Sequence, residues 1–221
     1  VPSIGDWAFY DCTRLKSVTI PNSVTSIGEM AFGICTGLTS ITIPDSVTSI
    51  GRDAFCCCTG LAAVHITDLA AWCKIDFCIF QWGVEYESSN PLGHAHNLYL
   101  NGNLVTDLVI PDSVMSINDA AFFGCTSLTS VTIPDGVTSI GSAAFYGCSS
   151  LTSVTIPDSV TSIGSSAFWG CTSLAGITIP DSVTSIGWYA FYGWTSSQTI
   201  YCQATSKPSG WNSDWNGGAA K

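Results

Sequence analysis

IPDSVTSIG, residues 156–164, stands unchanged at 43–51 and again at 179–187. Near-copies are IPNSVTSIG at 20–28, IPDSVMSIN at 110–118 and IPDGVTSIG at 133–141. Neighbouring copies are spaced by 23 residues wherever the repeat is regular. A fixed period of this length predicts a solenoid, in which each copy forms one coil and presents the same surface to the coils on either side.

One whole unit shows how a coil is built. In LTSVTIPDGVTSIGSAAFYGCSS at 128–150, the L-x-x-V-x-I spacing at 128–133 turns one face of a strand toward the core. Proline then ends the strand in a turn, because it cannot donate to a ladder. Val137 and Ile140 point inward again on an extended return leg, and SAAFYGC at 142–148 predicts a short helical or 3-10 turn.

Phenylalanine and cysteine recur with the same period. The first column should fill the core and contains Phe9, Phe32, Phe55, Phe122, Phe145, Phe168 and Phe191. The second column contains Cys12, Cys35, Cys58, Cys125, Cys148 and Cys171, and Trp194 takes its next place. Free cysteine packs as a small apolar residue, and parallel Cβ vectors suit disulfides poorly, so we predict buried reduced thiols.

The repeat pattern L-x-x-[LVI]-x-[LVI]-P-x-x-[VL]-x-x-I-[GN]-x-x-A-F-x-x-C resembles the leucine-rich repeat of BspA-like bacterial surface proteins, the treponemal subclass. The resemblance covers nearly the whole chain. It implies an α/β-type repeat solenoid, right-handed, with a parallel β-sheet on its concave face. It also implies a secreted or cell-surface protein that adheres to host proteins or to other cells.

The period divides the chain into regions within a single solenoid, 1–221. We expect regular coils over 1–66 and 105–194, an irregular insert over about 67–104, and a C-terminal cap over about 195–221. Because VPSIG at the start of the chain aligns with the VTSIG of the next copy, the chain begins in mid-repeat. We therefore expect a fragment or a processed product of a longer protein.

The insert carries signals of its own. TDLAAWCKIDF, from residue 67, begins like a helix, with Thr67 or Asp68 as its N-cap. The Asn101-Gly102 pair between NLYL and NLV is a strong hairpin signal. The insert could serve a function or could only adjust the curvature of the solenoid.

The composition narrows the classes of partner. The 221 residues include 6 lysines and arginines against 16 aspartates and glutamates, a net charge of −10. Such a chain lacks the cationic surface that nucleic acids and anionic membranes require. It also lacks the roughly 18–20 consecutive apolar residues of a membrane span. We therefore expect no nucleic-acid partner and no membrane insertion.

Catalytic and metal-binding signatures are weak in this sequence. No nucleophile elbow, phosphate-binding loop or paired-carboxylate motif is readable, so we expect no enzyme activity and no cofactor. The alternative is a zinc site in the insert, where Cys73 and Cys78 precede His94 and His96. The spacing of these four residues matches no strong zinc signature, so we expect no metal site.

Two surface features are candidate binding sites. The first is an array of small polar residues at outward strand positions, which could bind protein or glycan, or order water as an ice-binding surface does. This concave array comprises Ser40, Thr42, His65, Ser130, Thr132, Ser153, Thr155 and Thr178. The alternative is that small β-branched residues merely suit a curved sheet.

The second feature is an aromatic stripe, formed by the residue that follows the buried phenylalanine in the last four coils. Its members are Phe123, Tyr146, Trp169 and Tyr192. Exposed contiguous aromatic residues often mark binding sites. The alternative is that the stripe packs against a neighbouring turn or against the C-terminal tail.

These features lead to one functional hypothesis and two alternatives. We expect a non-enzymatic, extracellular or cell-surface module that binds a protein or glycan on a host or neighbouring cell. The first alternative is a structural solenoid that assembles end to end into a homo-oligomer. The second is a glycan- or ice-binding surface on the threonine-rich array.

Overall fold

The computed structural model describes residues 2–82 and 85–217. The chain forms two compact units, Val1–Val105 and Thr106–Lys221. Each unit contains a stack of short strands that run parallel from coil to coil, as the 23-residue repeat predicts. The described helices, of four residues each, are too short to cross a lipid bilayer.

Unit 1 contains two sheets. The L-x-x-V-x-I segments form the face sheet, and the extended legs after the proline turn form the return sheet. The face sheet contains β3 (Ser40–Thr42), β5 (Ala63–Ile66) and β9 (Leu98–Leu100) in parallel, with β10 (Asn103–Leu104) antiparallel to β9. The return sheet contains the parallel strands β1 (Ser3–Ile4), β2 (Ser26–Ile27), β4 (Ser49–Ile50) and β6 (Asp76–Phe77).

The insert keeps both sheets of unit 1 continuous, since it supplies β6 and β9. Its first helix, α1 (Leu69–Trp72), begins at Asp68, whose carboxylate accepts from the backbone N–H of Ala70 at 2.7 Å. The hairpin between β9 and β10 turns at Asn101-Gly102, with φ of 49° and 82° as its turn type requires. The remaining elements are the antiparallel pair β7 (Ile79–Trp82) and β8 (Glu85–Ser88), and α2 (Leu92–Ala95).

Unit 2 also has a set of face strands and a set of return strands. Equivalent residues of neighbouring coils pair with each other, as Ser130 does with Ser153 and Val131 with Val154. Its face strands are β11 (Asp107–Val109), β13 (Ser130–Thr132), β15 (Ser153–Thr155), β17 (Gly176–Ile179) and β19 (Thr199–Cys202). Its return strands are β12 (Ser116–Ile117), β14 (Ser139–Ile140), β16 (Ser162–Ile163), β18 (Ser185–Ile186) and β20 (Gly210–Trp211). All of its paired strands are parallel within the described residues.

The contacts between coils explain why IPDSVTSIG is repeated. Ser159 Oγ donates to the carbonyl of Val137 in the preceding coil at 2.7 Å. Thr161 Oγ1 donates to the carbonyl of Thr138 at 3.2 Å. Gly164 approaches the backbone of the preceding coil so closely that a Cβ would collide with Ser142. The same serine contact recurs at Ser46 and Ser182, and the same threonine contact at Thr48 and Thr184, so the repeated residues make equivalent bonds between coils.

The segment around the buried phenylalanine differs from the helical or 3-10 turn that the sequence predicts. It forms a series of turns in which every second N–H reaches the next coil. Phe145 N–H donates to the carbonyl of Ala167, and Gly147 N–H to the carbonyl of Trp169, both at 2.8 Å. Left-handed φ angles at Ala143 (53°) and Gly147 (69°) rotate these amides out of a helix. The apolar residues reach the core as expected, but through a third set of hydrogen bonds between coils.

Stacked rings fill the core. In unit 2 the phenylalanine column is fully buried, and neighbouring ring centroids from Phe122 to Phe191 are 5.3–5.5 Å apart and nearly parallel. In unit 1, Phe32 and Phe55 stack at 5.2 Å. The prediction of a phenylalanine core is confirmed from Phe32 onward, whereas Phe9, in the first coil, is only half-buried.

All eleven cysteines are free, and the column is buried from Cys35 onward. Four buried thiols of the column donate to a backbone carbonyl of the preceding coil, namely those of Cys35, Cys58, Cys148 and Cys171. Cys148 Sγ, for example, lies 3.2 Å from the carbonyl of Phe122. Trp194, which replaces cysteine in the last coil, donates from Nε1 to the equivalent carbonyl of Phe168 at 3.0 Å. The column therefore supplies a donor to the turn of the preceding coil.

Candidate functional site

The face strands of unit 2, which form the sheets β11-β13-β15 and β17-β19, present a row of threonines. Thr132, Thr155 and Thr178 point outward from β13, β15 and β17, and Thr132 pairs in register with Thr155. Tyr201 continues the row on β19, in register with Thr178, and its side chain is 62% exposed. A groove of about 820 Å³ runs along this row, and we call it the threonine groove.

The hydroxyl groups of this row differ from those of other threonines in the repeat. On the return leg, Thr138, Thr161 and Thr184 all donate to a carbonyl of the preceding coil. In contrast, the part of the chain that the structure describes offers no hydrogen-bond partner to the side chains of Thr132 and Thr155. The same is true of Thr178. These three hydroxyls are exposed and available to a ligand.

The walls of the threonine groove add charge and an aromatic surface. Asp135 and Asp158 follow the strand-ending prolines, and Gln203 follows β19. No lysine or arginine is among the residues that line it. The groove can therefore accept hydrogen bonds at two carboxylates and pack an apolar ring against Tyr201.

The two predicted serines of unit 2 have other environments. Ser130 Oγ donates to the Asp107 carboxylate at 2.6 Å. Hydrogen bonds from Ser130, Thr106 and Thr129 lower the pKa of Asp107. Ser153 is exposed on β15 but does not line the groove. Of the array predicted in this unit, the structure thus brings the three threonines together and leaves the serines outside the groove.

The remaining predicted array residues lie on the face sheet of unit 1. Thr42 pairs in register with His65, and His65 with Tyr99, so the three side chains are neighbours on one face. The rings of His65 and Tyr99 are in contact, with centroids 4.9 Å apart. Ser40, on β3, is half-buried. The predicted array is therefore divided between the two units.

The aromatic stripe is a stack of rings. Centroids are 4.7 Å apart for Phe123 and Tyr146, 5.5 Å for Tyr146 and Trp169, and 4.2 Å for Trp169 and Tyr192. All four residues are half-buried, and the backbone of Gly217 packs against the ring of Tyr192. The stripe therefore packs on itself and against the tail, and its rings are only partly exposed to solvent.

The structure gives no support to a zinc site. Among the described residues, no three histidine, cysteine or acidic side chains come together as a metal site. Burial raises the pKa of the Cys73 thiol to about 12, which disfavours the thiolate that zinc requires. Burial, and then the neighbouring His96, lower the pKa of His94.

Comparison with known proteins identifies the repeat. Six copies of the BspA type Leucine rich repeat region match residues 1–81 and 95–209. The chain is similar to the crystal structure of a leucine-rich repeat protein from Bacteroides ovatus, with 30% identity and a TM-score of 0.56 over 90% of this chain and 46% of that one. No curated protein matches the chain.

Two further solved structures are similar. A leucine rich cell surface protein from Faecalibacterium prausnitzii has 31% identity and a TM-score of 0.53, over 100% of this chain and 61% of that one. The pneumococcal vaccine antigen PcpA, at 19% identity and a TM-score of 0.56, shares the fold over 94% of this chain and 56% of that one. The chain thus spans less than two thirds of these structures. By its repeats and its fold, this chain belongs to the BspA-type leucine-rich repeat family.

Proposed function

We propose that the chain is a non-enzymatic, extracellular or cell-surface module that binds a protein or glycan on a host or neighbouring cell through the threonine groove. The observation that carries the proposal is the row of exposed hydroxyls at Thr132, Thr155 and Thr178 that have no partner in the described structure. Membership of a repeat family typical of interaction and surface proteins supports it. So does the similarity to a bacterial cell surface protein.

The alternatives have less support. End-to-end assembly needs an open coil at each end, whereas β19 and β20 cover the last regular coil of unit 2, with Trp211 of β20 buried against it. Ice binding needs a long flat threonine array, but Tyr201 interrupts the row after three threonines. A thiol nucleophile is disfavoured at the buried cysteines, because burial raises the pKa of their thiols.

The test uses the whole chain on two arrays, one of glycans and one of extracellular proteins. Wild-type protein should bind members of at least one array. Thr155→Lys places a long cation in the middle of the groove, and it should weaken that binding by about tenfold or more, because central contacts dominate an interface. Ser173→Lys, an exposed position outside the groove, makes the same charge change and should bind as wild type does.

Circular dichroism should show that both variants remain folded. The proposal fails if wild-type protein binds nothing on either array. It also fails if Thr155→Lys binds as tightly as Ser173→Lys.

A further inference from the structure

A second pocket lies in the C-terminal region of unit 2 and shares no lining residue with the threonine groove. It lies between β19, the last face strand, and β20, the last return strand, and it has a volume of about 390 Å³. We call it the cap pocket. Its lining residues are Cys202, Ala204, Thr205, Ser206, Lys207, Trp211 and Trp215. None of these residues belongs to the regular repeat.

The aromatic side of the cap pocket is held in place by the last coil. Trp211 is buried, and its Nε1 donates to the carbonyl of Val183 at 2.9 Å. Trp215 contacts Trp211 edge to face, with ring centroids 4.9 Å apart, and it also packs edge to face against the core ring of Phe191 at 5.8 Å. Two indole rings anchored in this way form a preorganised apolar surface for a ligand.

The rim of the cap pocket is polar. The described structure gives no partner to the side chains of Thr205, Ser206 and Lys207, and all three are exposed. Lys207 is also the only lysine or arginine in residues 106–217. The rim therefore offers one cation and two hydroxyl donors beside the indole rings, in a region that otherwise carries negative charge.

We propose that the cap pocket binds a small molecule with a flat apolar ring system and a single negatively charged group. Its volume falls within the usual range for small-molecule sites, about 300–1,000 Å³. The ring system would pack against Trp211 and Trp215, and the anion would lie at the Lys207 ammonium and the neighbouring hydroxyls. This site is independent of the threonine groove, since the two share no lining residue.

Two matched fluorescent probes test the assignment. 8-Anilinonaphthalene-1-sulfonate carries the aromatic rings and one anion, and N-phenyl-1-naphthylamine carries the same rings without the charge. Each is titrated into the folded chain. Lys207→Gln should weaken binding of the sulfonate about three- to fivefold, as expected for the loss of one exposed ion pair. Its affinity for the neutral probe should be unchanged.

Pocket-filling and aromatic variants extend the test to the ring site. Trp215→Ala should weaken both probes by about tenfold, because each loses an aromatic partner. Ala204→Leu should weaken binding of both probes, because the larger side chain fills the pocket while the indole rings stay in place. This variant tests the ring site even if Trp215→Ala proves unstable. Thermal unfolding of each variant verifies that the cap remains folded.

Charge- and ring-matched controls lie outside the pocket. Lys74→Gln, at an exposed lysine of unit 1, and Trp188→Ala, at a tryptophan that is 50% exposed, should leave both affinities unchanged. The proposal is wrong if Lys74→Gln weakens the sulfonate as much as Lys207→Gln does. It is equally wrong if Ala204→Leu leaves both probes bound as tightly as in wild type.

Discussion

Single residues set the path of each coil through left-handed backbone conformations. Two columns of residues have positive φ: the column that contains Ala143 and, four residues later in each coil, the column that contains Gly147. In the second column, unit 2 places glycine, as at Gly147 and Gly170, whereas unit 1 places Ile34 (60°) and Cys57 (56°). A non-glycine residue in this conformation costs roughly 1–2 kcal/mol. The glycines of unit 2 are therefore suited to the turn, and the residues of unit 1 are strained there.

This difference predicts a stabilising substitution. Cys57→Gly should raise the free energy of unfolding by about 1 kcal/mol, because the relief of left-handed strain exceeds the entropy that glycine adds to the unfolded chain. The Cys57 side chain is exposed, so little packing is lost. Urea unfolding measures the change. Cys202→Gly is the control: it also removes an exposed thiol, but within a strand, and it should lower stability.

Buried thiols make the stability depend on pH. Desolvation by burial raises the pKa of Cys58 and of Cys73 to about 12, from an unfolded value near 9. Because the folded pKa is the higher one, the stabilisation is complete below about pH 9 and is lost as the pH rises toward 12. Ionisation of these thiols should therefore leave the free energy of unfolding unchanged near neutral pH.

Urea unfolding at about pH 8 and about pH 10.5 tests this dependence. Wild-type protein should lose stability between the two conditions, and Cys73→Ala should lose about 1–2 kcal/mol less than wild type. The comparison uses the pH-induced change within each protein, so the packing cost of the alanine cancels. Equal losses in both proteins would show that the Cys73 thiol ionises alike in the folded and unfolded chains.

At the scale of elements, the sequence predicts those parts that carry a readable period or turn signal. The helix capped at Asp68, the hairpin at Asn101-Gly102 and the L-x-x-V-x-I strands from residue 40 onward are confirmed, whereas the first such segment, 15–20, forms no strand. The return sheet could not be predicted, because strands of two residues are too short to show alternation. The left-handed turn at Ala143 was also unreadable, since alanine favours a helix and the turn is held by hydrogen bonds from the next coil.

The aromatic stripe is an element whose stacking has a measurable consequence. Tyr146→Ala combined with Trp169→Ala removes the stack between Phe123 and Tyr192, and it should lower the free energy of unfolding by roughly 2–4 kcal/mol, from lost burial and ring contacts. Urea unfolding measures the loss. Trp188→Ala is the control, because its ring is 50% exposed and has one ring contact among the described residues, with Tyr189, and it should cost less than 1 kcal/mol. A double variant as stable as the control would mean that the rings do not stack in solution.

At the scale of the whole molecule, the candidate sites lie where the repeat and the non-repetitive tail meet. The threonine column of the groove is visible in the sequence because it follows the period. Tyr201 and Gln203 lie beyond the last regular copy, although the alternation in TIYC at 199–202 is a weak signal of a further strand. The cap pocket depends on residues of 202–215 that come together only in the fold, so no sequence pattern predicts it.

The central claim is that successive coils stack in register, with every second amide of the phenylalanine turn bonded to the next coil. Scalar couplings across hydrogen bonds, measured by nuclear magnetic resonance on protein labelled with ¹⁵N and ¹³C, test it directly. We predict a coupling from the amide nitrogen of Phe145 to the carbonyl carbon of Ala167, and from that of Phe168 to Ala190. A coupling from the Phe145 amide to a carbonyl of its own coil would instead indicate a helical turn and would contradict the account.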